Sequence, residues 1–244
     1  MSNFYGSDLA HIHDSGYAWF ARQTAPGVLS LLRQRGPERG LVVEFGCGGG
    51  ILARDLIEAG YDVIGVDISP AMIEMATARV PQARFVLASA YEFDLPTCSA
   101  ITALGEVLAY ESDQPRSNAA LKRFFRRAYQ ALEPGGLLIF DLPEPGRSAR
   151  PRPAYVQTDD WACLVKSEED QKRGRLTRRI TSYTRQNNSG LFRRVDEVHR
   201  LRLFPATEVV TMLRSVGFRA RIVRRLGEFE FGKHWAAFVA RKPL

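Results

Sequence analysis

Cysteine is scarce in this chain of 244 residues: Cys47, Cys98 and Cys163 make an odd number, and no two of them form a C-x-x-C pair. Neither a disulfide framework nor a structural zinc site follows from that pattern, so no metal is expected. No apolar run approaches the roughly 18 uninterrupted residues that a membrane span needs. The opening Met1-Ser2-Asn3-Phe4-Tyr5 lacks the basic-then-apolar layout of a secretory signal, which makes a reducing cytoplasm the expected compartment. Internal repeats and low-complexity tracts are also missing. What remains, 45% hydrophobic and 25% charged residues, is an ordinary globular composition. The length suits one large domain, or one domain carrying an elaboration.

Charge is the unusual quantity, and its placement matters more than its size. Of 34 basic and 27 acidic residues, 14 and 7 fall between Arg147 and Arg202, leaving the rest of the chain balanced at 20 of each. The surplus of +7 therefore belongs to one segment, where it can serve an anionic ligand, a nucleic acid or a solvated surface.

The first 140 residues alternate between two periodicities. Residues 8–35 carry Tyr17, Phe20, Ala21, Val28, Leu31 and Leu32 at helical spacings, with Pro26 permitting a break and Gly36-Pro37 an end. Short apolar runs at 41–45, 62–66, 84–88, 101–104 and 137–141 predict five strands, with helices at 51–59, 69–79 and 118–132 between them. That rhythm predicts a parallel sheet covered on both faces. A turn at Pro134-Gly135-Gly136 precedes the fifth strand. Pro143, Pro145, Gly146, Pro151 and Pro153 then mark a boundary loop, followed by three extended runs at about 155–167, 175–186 and 191–204. Gln171-Lys172-Arg173-Gly174 and Asn187-Asn188-Ser189-Gly190 read as the hairpin turns between them. A helix at 205–216 and strands at about 219–224 and 235–240 complete the pattern.

A strand that ends in Gly-x-Gly and feeds a helix brings backbone N–H groups against a polar ligand. Dinucleotide enzymes require a small third residue for close helix–strand packing, and here Ile51 stands in that place. What is left is Glu44-x-Gly46-x-Gly48-x-Gly50, with Asp67 closing the second strand, Ser89-Ala90-Tyr91 after the third, Leu95-Pro96 downstream, and Leu132-Glu133-Pro134-Gly135-Gly136 before the fifth. In these features, over most of its length, the chain resembles the class I S-adenosylmethionine-dependent methyltransferases.

The resemblance implies a Rossmann-like α/β fold: a seven-stranded, mostly parallel sheet with helices on both faces, and an antiparallel three-stranded β insertion after the fifth strand. It divides the chain into an N-terminal helical lid (1–40), a cofactor domain (41–145 and 205–244) and the insertion (146–204), a roof for the acceptor site or a dimer contact. It also implies S-adenosyl-L-methionine as cofactor. Gly46, Gly48 and Gly50 would admit its methionine moiety and ribose, Glu44 would orient the loop and reach the ammonium, and Asp67 would accept from the ribose hydroxyls. Ile68 and Met72 would sandwich adenine, with Ser89, Ala90 and Tyr91 beside it; Ser89 stands where the family usually has Asp. Tyr17 and Arg22 on the lid would contact the carboxylate end, and Glu106 would line the cofactor or act as a base.

For the acceptor, His13, Glu106 and Tyr110 are the candidate catalytic residues, with His199 and His234 behind them. Histidine titrates near neutrality and can take a proton from an alcohol or amine. After the fourth strand the chain reads Gly105-Glu106-Val107-Leu108-Ala109-Tyr110, without the Asn/Asp-Pro-Pro-Tyr/Phe of enzymes that methylate amines of nucleic acids or glutamine. The expected activity is methyl transfer to N or O of a small molecule, with a homodimer as one form and no membrane partner. An RNA methyltransferase using the basic insertion, and a non-catalytic cofactor-binding protein, are the alternatives. Most insertion arginines are expected to face water.

Overall fold

A computed structural model describes residues 4–35, 39–112, 116–148, 153–186 and 190–244. The expected features at Gly36-Pro37, Pro151 and Asn187-Asn188-Ser189 lie outside the described residues. The central sheet comprises β1 (Leu41–Phe45), β2 (Asp62–Asp67), β3 (Arg84–Leu87), β4 (Cys98–Ala103) and β5 (Leu132–Pro143), joined at one edge by two later strands, 219–223 and 235–241. β1 to β5 run parallel in the order β3-β2-β1-β4-β5. The Pro134-Gly135-Gly136 turn is absorbed into β5 as an irregularity, where the register jumps from Cys98 opposite Leu132 to Ala100 opposite Leu137.

Because successive strand residues point to opposite faces, the continuous apolar runs feed two cores. Val43, Ile101, Leu138 and Phe140 pack on one side with α5 (Asn118–Ala131) and α6 (Ala206–Val216). Val42, Ala100, Leu137 and Ile139 pack on the other with α2 (Ala18–Arg35) and α3 (Ile51–Glu58). α4 (Pro70–Arg79) starts as its sequence predicts, with Ser69 Oγ accepting from Met72 N at 3.3 Å and Pro70 at the first helical position.

The N-terminal helix breaks at Tyr17, between α1 (Ser7–Gly16) and α2, and not at Pro26, which lies inside α2. Proline costs a helix one backbone hydrogen bond, but Ala25, Val28 and Leu32 around it are all buried, and their packing outweighs that loss.

The insertion has four strands where three were expected: β6 (Ala154–Gln157), β7 (Trp161–Asp170), β8 (Arg175–Arg185) and β9 (Phe192–Arg202), paired in that order. The first extended run is folded back on itself at Thr158, whose Oγ1 accepts from Asp160 N (3.3 Å) and Trp161 N (3.1 Å). One face of this sheet is seated on the rest of the chain. Trp161, Cys163 and Ile180 pack against Leu9 and Ile12 of α1, while Leu176 and Leu201 join the core under α5 and α6. After β10 (Arg219–Val223), a small hairpin of β11 (Arg225–Leu226) and β12 (Phe229–Glu230) precedes β13 (Trp235–Arg241), which is antiparallel to both β5 and β10. The sequence pattern did not foretell that hairpin. Among the described residues, no helix is long and apolar enough to cross a membrane.

Candidate active site

β1 delivers its chain into the Gly46–Gly50 loop at the carboxyl edge of the sheet, where open α/β sheets place their ligands. Gly46 N donates to Val66 O at 2.7 Å, tying the loop to β2. Three glycines there have positive φ, +65° at Gly46, +52° at Gly48 and +78° at Gly50, each for a different purpose. A Cβ on Gly46 would lie 2.2 Å from Val107 Cγ2, and one on Gly50 would press on Ala76 of α4 at 3.2 Å. A Cβ on Gly48 would meet nothing closer than Met72 Sδ at 3.9 Å. Gly48 and Gly46 line a cavity of about 1170 Å³, its open mouth included; Gly50 does not, and serves the packing of loop on helix.

Two carboxylates stand behind this loop. Asp67 Oδ2 accepts from Gly48 N and Oδ1 from Ser69 N, both at 2.9 Å. Burial pushes its carboxyl up, against the pull of those N–H groups. Glu44 is buried and lines the cavity, and its Oε2 has no hydrogen-bond partner among the described residues. Burial, followed by the nearby Asp67 and Asp55, raises it well above the usual carboxylate range. A buried acceptor left unsatisfied costs about 1–3 kcal/mol, a deficit that a donor or cation in the cavity would remove. Ile68, Met72, Ser89, Ala90 and Tyr91 complete this wall. Ser89 Oγ accepts from Tyr91 N at 3.2 Å, so it also holds its own turn.

The opposite wall comes from α1 and α2, through His13, Asp14, Tyr17, Ala18, Ala21 and Thr24. Asp14 pairs with Arg79 of α4 at 2.7 Å, and Arg79 also donates to Gly49 O, which fastens α1 to the glycine loop. Burial lowers His13 to about 4 and raises Tyr17 to about 12. His13 is therefore neutral at pH 7, and a reluctant base. Arg22 does not join the site: it is exposed, because Ala18, Ala21 and Thr24 carry the cavity-facing side of α2.

Glu106 is likewise placed elsewhere than expected. It has φ +63°, is buried, and turns its carboxylate away from the cavity to Arg178 Nη2 (2.6 Å) and Arg147 Nε (3.3 Å). Both of its oxygens are thus committed to guanidinium groups of the insertion side. The backbone beneath it is clamped by Asp141, which accepts from Gly105 N (2.6 Å), Glu106 N (2.9 Å) and Trp235 Nε1 (2.5 Å). Burial first, and Glu106 second, push Asp141 up to about 7. Tyr110 does line the cavity, and its hydroxyl accepts from Arg178 Nη1 at 3.2 Å. Tyr110 also bridges to Leu201 of β9, and Glu111 N donates to Arg200 O at 2.7 Å, so the loop after β4 is zipped to the insertion.

Several lining residues escaped the sequence: Phe4, Tyr5, Thr24 and Arg116, the last lying 3.9 Å over the Tyr91 ring. Arg178 had a signal. It alternates with Leu176 and Ile180 on β8, so a period-2 count puts it on the buried face. There burial works against its charge and Glu106 more than compensates, raising it. Most other insertion arginines, including Arg173, Arg179, Arg185, Arg193, Arg194 and Arg200, are exposed as expected.

Known proteins are similar to this chain in sequence and fold. The methyltransferase-domain family matches residues 42–136. A dTDP-4-amino-2,3,4,6-tetradeoxy-D-glucose N,N-dimethyltransferase of Saccharopolyspora spinosa is 28% identical over 228 residues, 90% of this chain and 88% of that protein. A dTDP-3-amino-3,4,6-trideoxy-alpha-D-glucopyranose N,N-dimethyltransferase of Streptomyces venezuelae is 23% identical, over 88% of this chain and 92% of its own length. The crystal structure of an S-adenosylmethionine-dependent methyltransferase from Clostridium acetobutylicum ATCC 824 superimposes with a TM-score of 0.81 at 16% identity, covering 97% of this chain and 98% of its own.

Proposed function

We propose that this chain, which belongs to the class I S-adenosylmethionine-dependent methyltransferases, methylates a nitrogen of a small molecule, and that an amino group on a sugar is its acceptor class. The observation that carries this reading is the shared cavity: the glycine loop, Asp67 and Glu44 form one wall, and aromatic residues under the insertion enclose the same space. Similarity to the two amino-sugar dimethyltransferases over about nine-tenths of the chain supports the acceptor class.

The residues present fit S-adenosylmethionine. Glu44 Oε2, buried without a partner, would meet the ammonium; Asp67, whose oxygens each accept one backbone N–H, retains lone pairs for the ribose hydroxyls. Ile68 and Met72 would flank adenine, with Ser89 to Tyr91 at its edge. When bound, the cofactor supplies a sulfonium methyl for in-line displacement. The chain's own work is to orient the acceptor and exclude water. Residues 1–40 would act as the lid, latched by Asp14–Arg79, and the insertion as the roof, reaching inward through Arg178 and Tyr110. The cavity lining includes Asp14, Glu44 and Asp67 against Arg116 as its arginine. That balance favours a sulfonium and an amine over an anionic polymer.

The test is transfer of labelled methyl from S-adenosylmethionine to dTDP-linked 3-amino and 4-amino sugars, matched 3-hydroxy and 4-hydroxy sugars, and an RNA transcript. Label on the amines alone is the expected outcome. Label on hydroxyls would reassign the acceptor atom, and label on RNA with a steep loss at rising salt would replace the small molecule altogether.

A further inference from the structure

Glu197 and His199 lie two residues apart on β9, on the insertion's inner face, and both are buried. His199 Nε2 is 2.8 Å from Glu197 Oε2. The same carboxylate accepts from the backbone N–H groups of Tyr5 (2.9 Å) and Gly6 (3.1 Å). An ionised carboxylate only accepts, so this contact keeps the ring proton on Nε2 and leaves Nδ1 with a free lone pair. Nδ1 is buried and has no hydrogen-bond partner among the described residues. Buried polar atoms are nearly always satisfied, so an orphaned ring nitrogen calls for a partner that arrives from elsewhere.

The ring is separated from the cavity by three side chains that line it: Phe4, Tyr5 and Tyr110, with ring centroids 4.4, 4.9 and 5.8 Å from that of His199. Two of the three belong to a short strap. Tyr5 sits at φ +47°, unfavourable for a residue with a side chain. It is held there by Glu197 and by Ser69 Oγ, which donates to Tyr5 O at 2.7 Å.

We propose that His199 is the proton acceptor of the methyl transfer, oriented by Glu197 and uncovered when an acceptor displaces the Phe4–Tyr5 strap. The proposal rests on the N-methylation reading above. The amine lone pair attacks the methyl carbon, the N–C bond forms as the C–S bond breaks, and that bonding pair stays on sulfur as a neutral thioether. The new alkylammonium releases its N–H proton to His199 Nδ1. The imidazolium so formed lies against the Glu197 carboxylate, and its proton passes to solvent as product leaves. His13, although in the cavity wall, is held by burial at about 4 against the pull of the neighbouring Asp14. The ionisable groups facing His199 are Glu197 on its own strand, Tyr5 on the strap, His13 on α1, Tyr110 after β4, and Arg178, its cross-strand partner on β8.

The experiment compares the full-length wild type with His199→Asn and Glu197→Gln. Affinity for S-adenosylhomocysteine, measured by calorimetry, should stay within two-fold in both variants. If the wild type itself binds none, the methyltransferase reading fails, not this one. With the dTDP-linked amino sugars as probes, His199→Asn should lower kcat by about 100-fold or more, with KM within three-fold and the acid limb of the kcat–pH profile lost. Glu197→Gln should retain that limb, shifted. A kcat within three-fold of wild type in His199→Asn would overturn the proposal. Nitrogen-15 spectra of the histidine-labelled protein at neutral pH provide an answer independent of turnover. An Nε2–H tautomer with unprotonated Nδ1 is expected, and a proton found on Nδ1 would refute the assignment even if no probe amine reacts.

Discussion

The two walls of the cavity are built by different means. The wall proposed for the cofactor is short in sequence and backbone-rich: residues 44–50 and 67–72 supply most of it, and its hydrogen bonds run from loop N–H groups to Asp67. The wall proposed for the acceptor draws on the N-terminal segment, the loop after β4 and two strands of the insertion. Hydrogen bonds, ion pairs and rings hold these segments together, the Tyr5–Glu197 bond spanning 192 residues of chain. A wall made of backbone geometry fixes what binds there within narrow limits. A wall made of side chains from distant segments can change its acceptor by substitution while leaving the sheet untouched.

That contrast can be broken by experiment. The largest effect is expected on the acceptor wall. Arg178→Met strips Glu106 of its 2.6 Å partner and Tyr110 of its donor. Breaking a largely buried pair costs about 3–5 kcal/mol, so urea unfolding should show a loss of that size while calorimetric affinity for S-adenosylmethionine changes less than three-fold. Coupled loss of both would mean that the walls are one unit. Next comes Asp67→Ala, which removes two charge-assisted acceptors. At about 1.5 kcal/mol or more for each lost bond, cofactor affinity should fall about 100-fold, and an unchanged dissociation constant would contradict the ribose assignment.

The effect that is smallest per measured step is a pH slope. Asp141, pushed up to about 7, binds its proton more tightly folded than in the unfolded chain, where aspartate titrates near ~3.9. Its contribution to stability is thus complete below ~4 and is lost as pH rises through 7. Relative to Asp141→Asn, the wild type should lose up to about 1.4 kcal/mol per pH unit across that window. Parallel stability–pH curves would show that the clamp between β5 and the Glu106 loop is not titrating.

The same contrast explains what could be read from the chain. The sheet, its helices and the glycine loop were legible because each rests on local periodicity or on a residue type that one backbone conformation demands. Position 50 shows the limit: its glycine was rightly singled out, but it is needed for contact with Ala76 and not for a ligand. Arg22 and Glu106 went astray for another reason. Neighbours on a helix or loop do not share a direction, and only the folded chain shows that Glu106 turns to β8. The Glu197–His199 pair could be seen as two inward residues on one strand, but nothing local reveals that Tyr5 and Gly6 return to cover it.

The β11–β12 hairpin sits on one turn of α2, with Glu228 N donating to Gln23 O at 3.0 Å and no room for a Cβ on Gly27, which would lie 2.0 Å from Gly227 N. Backbone meets backbone there, so the seat of α2 depends on a hairpin much later in the sequence. Ala18, Ala21 and Thr24 travel with that helix, so the cavity wall they form answers to residues that do not themselves line the cavity.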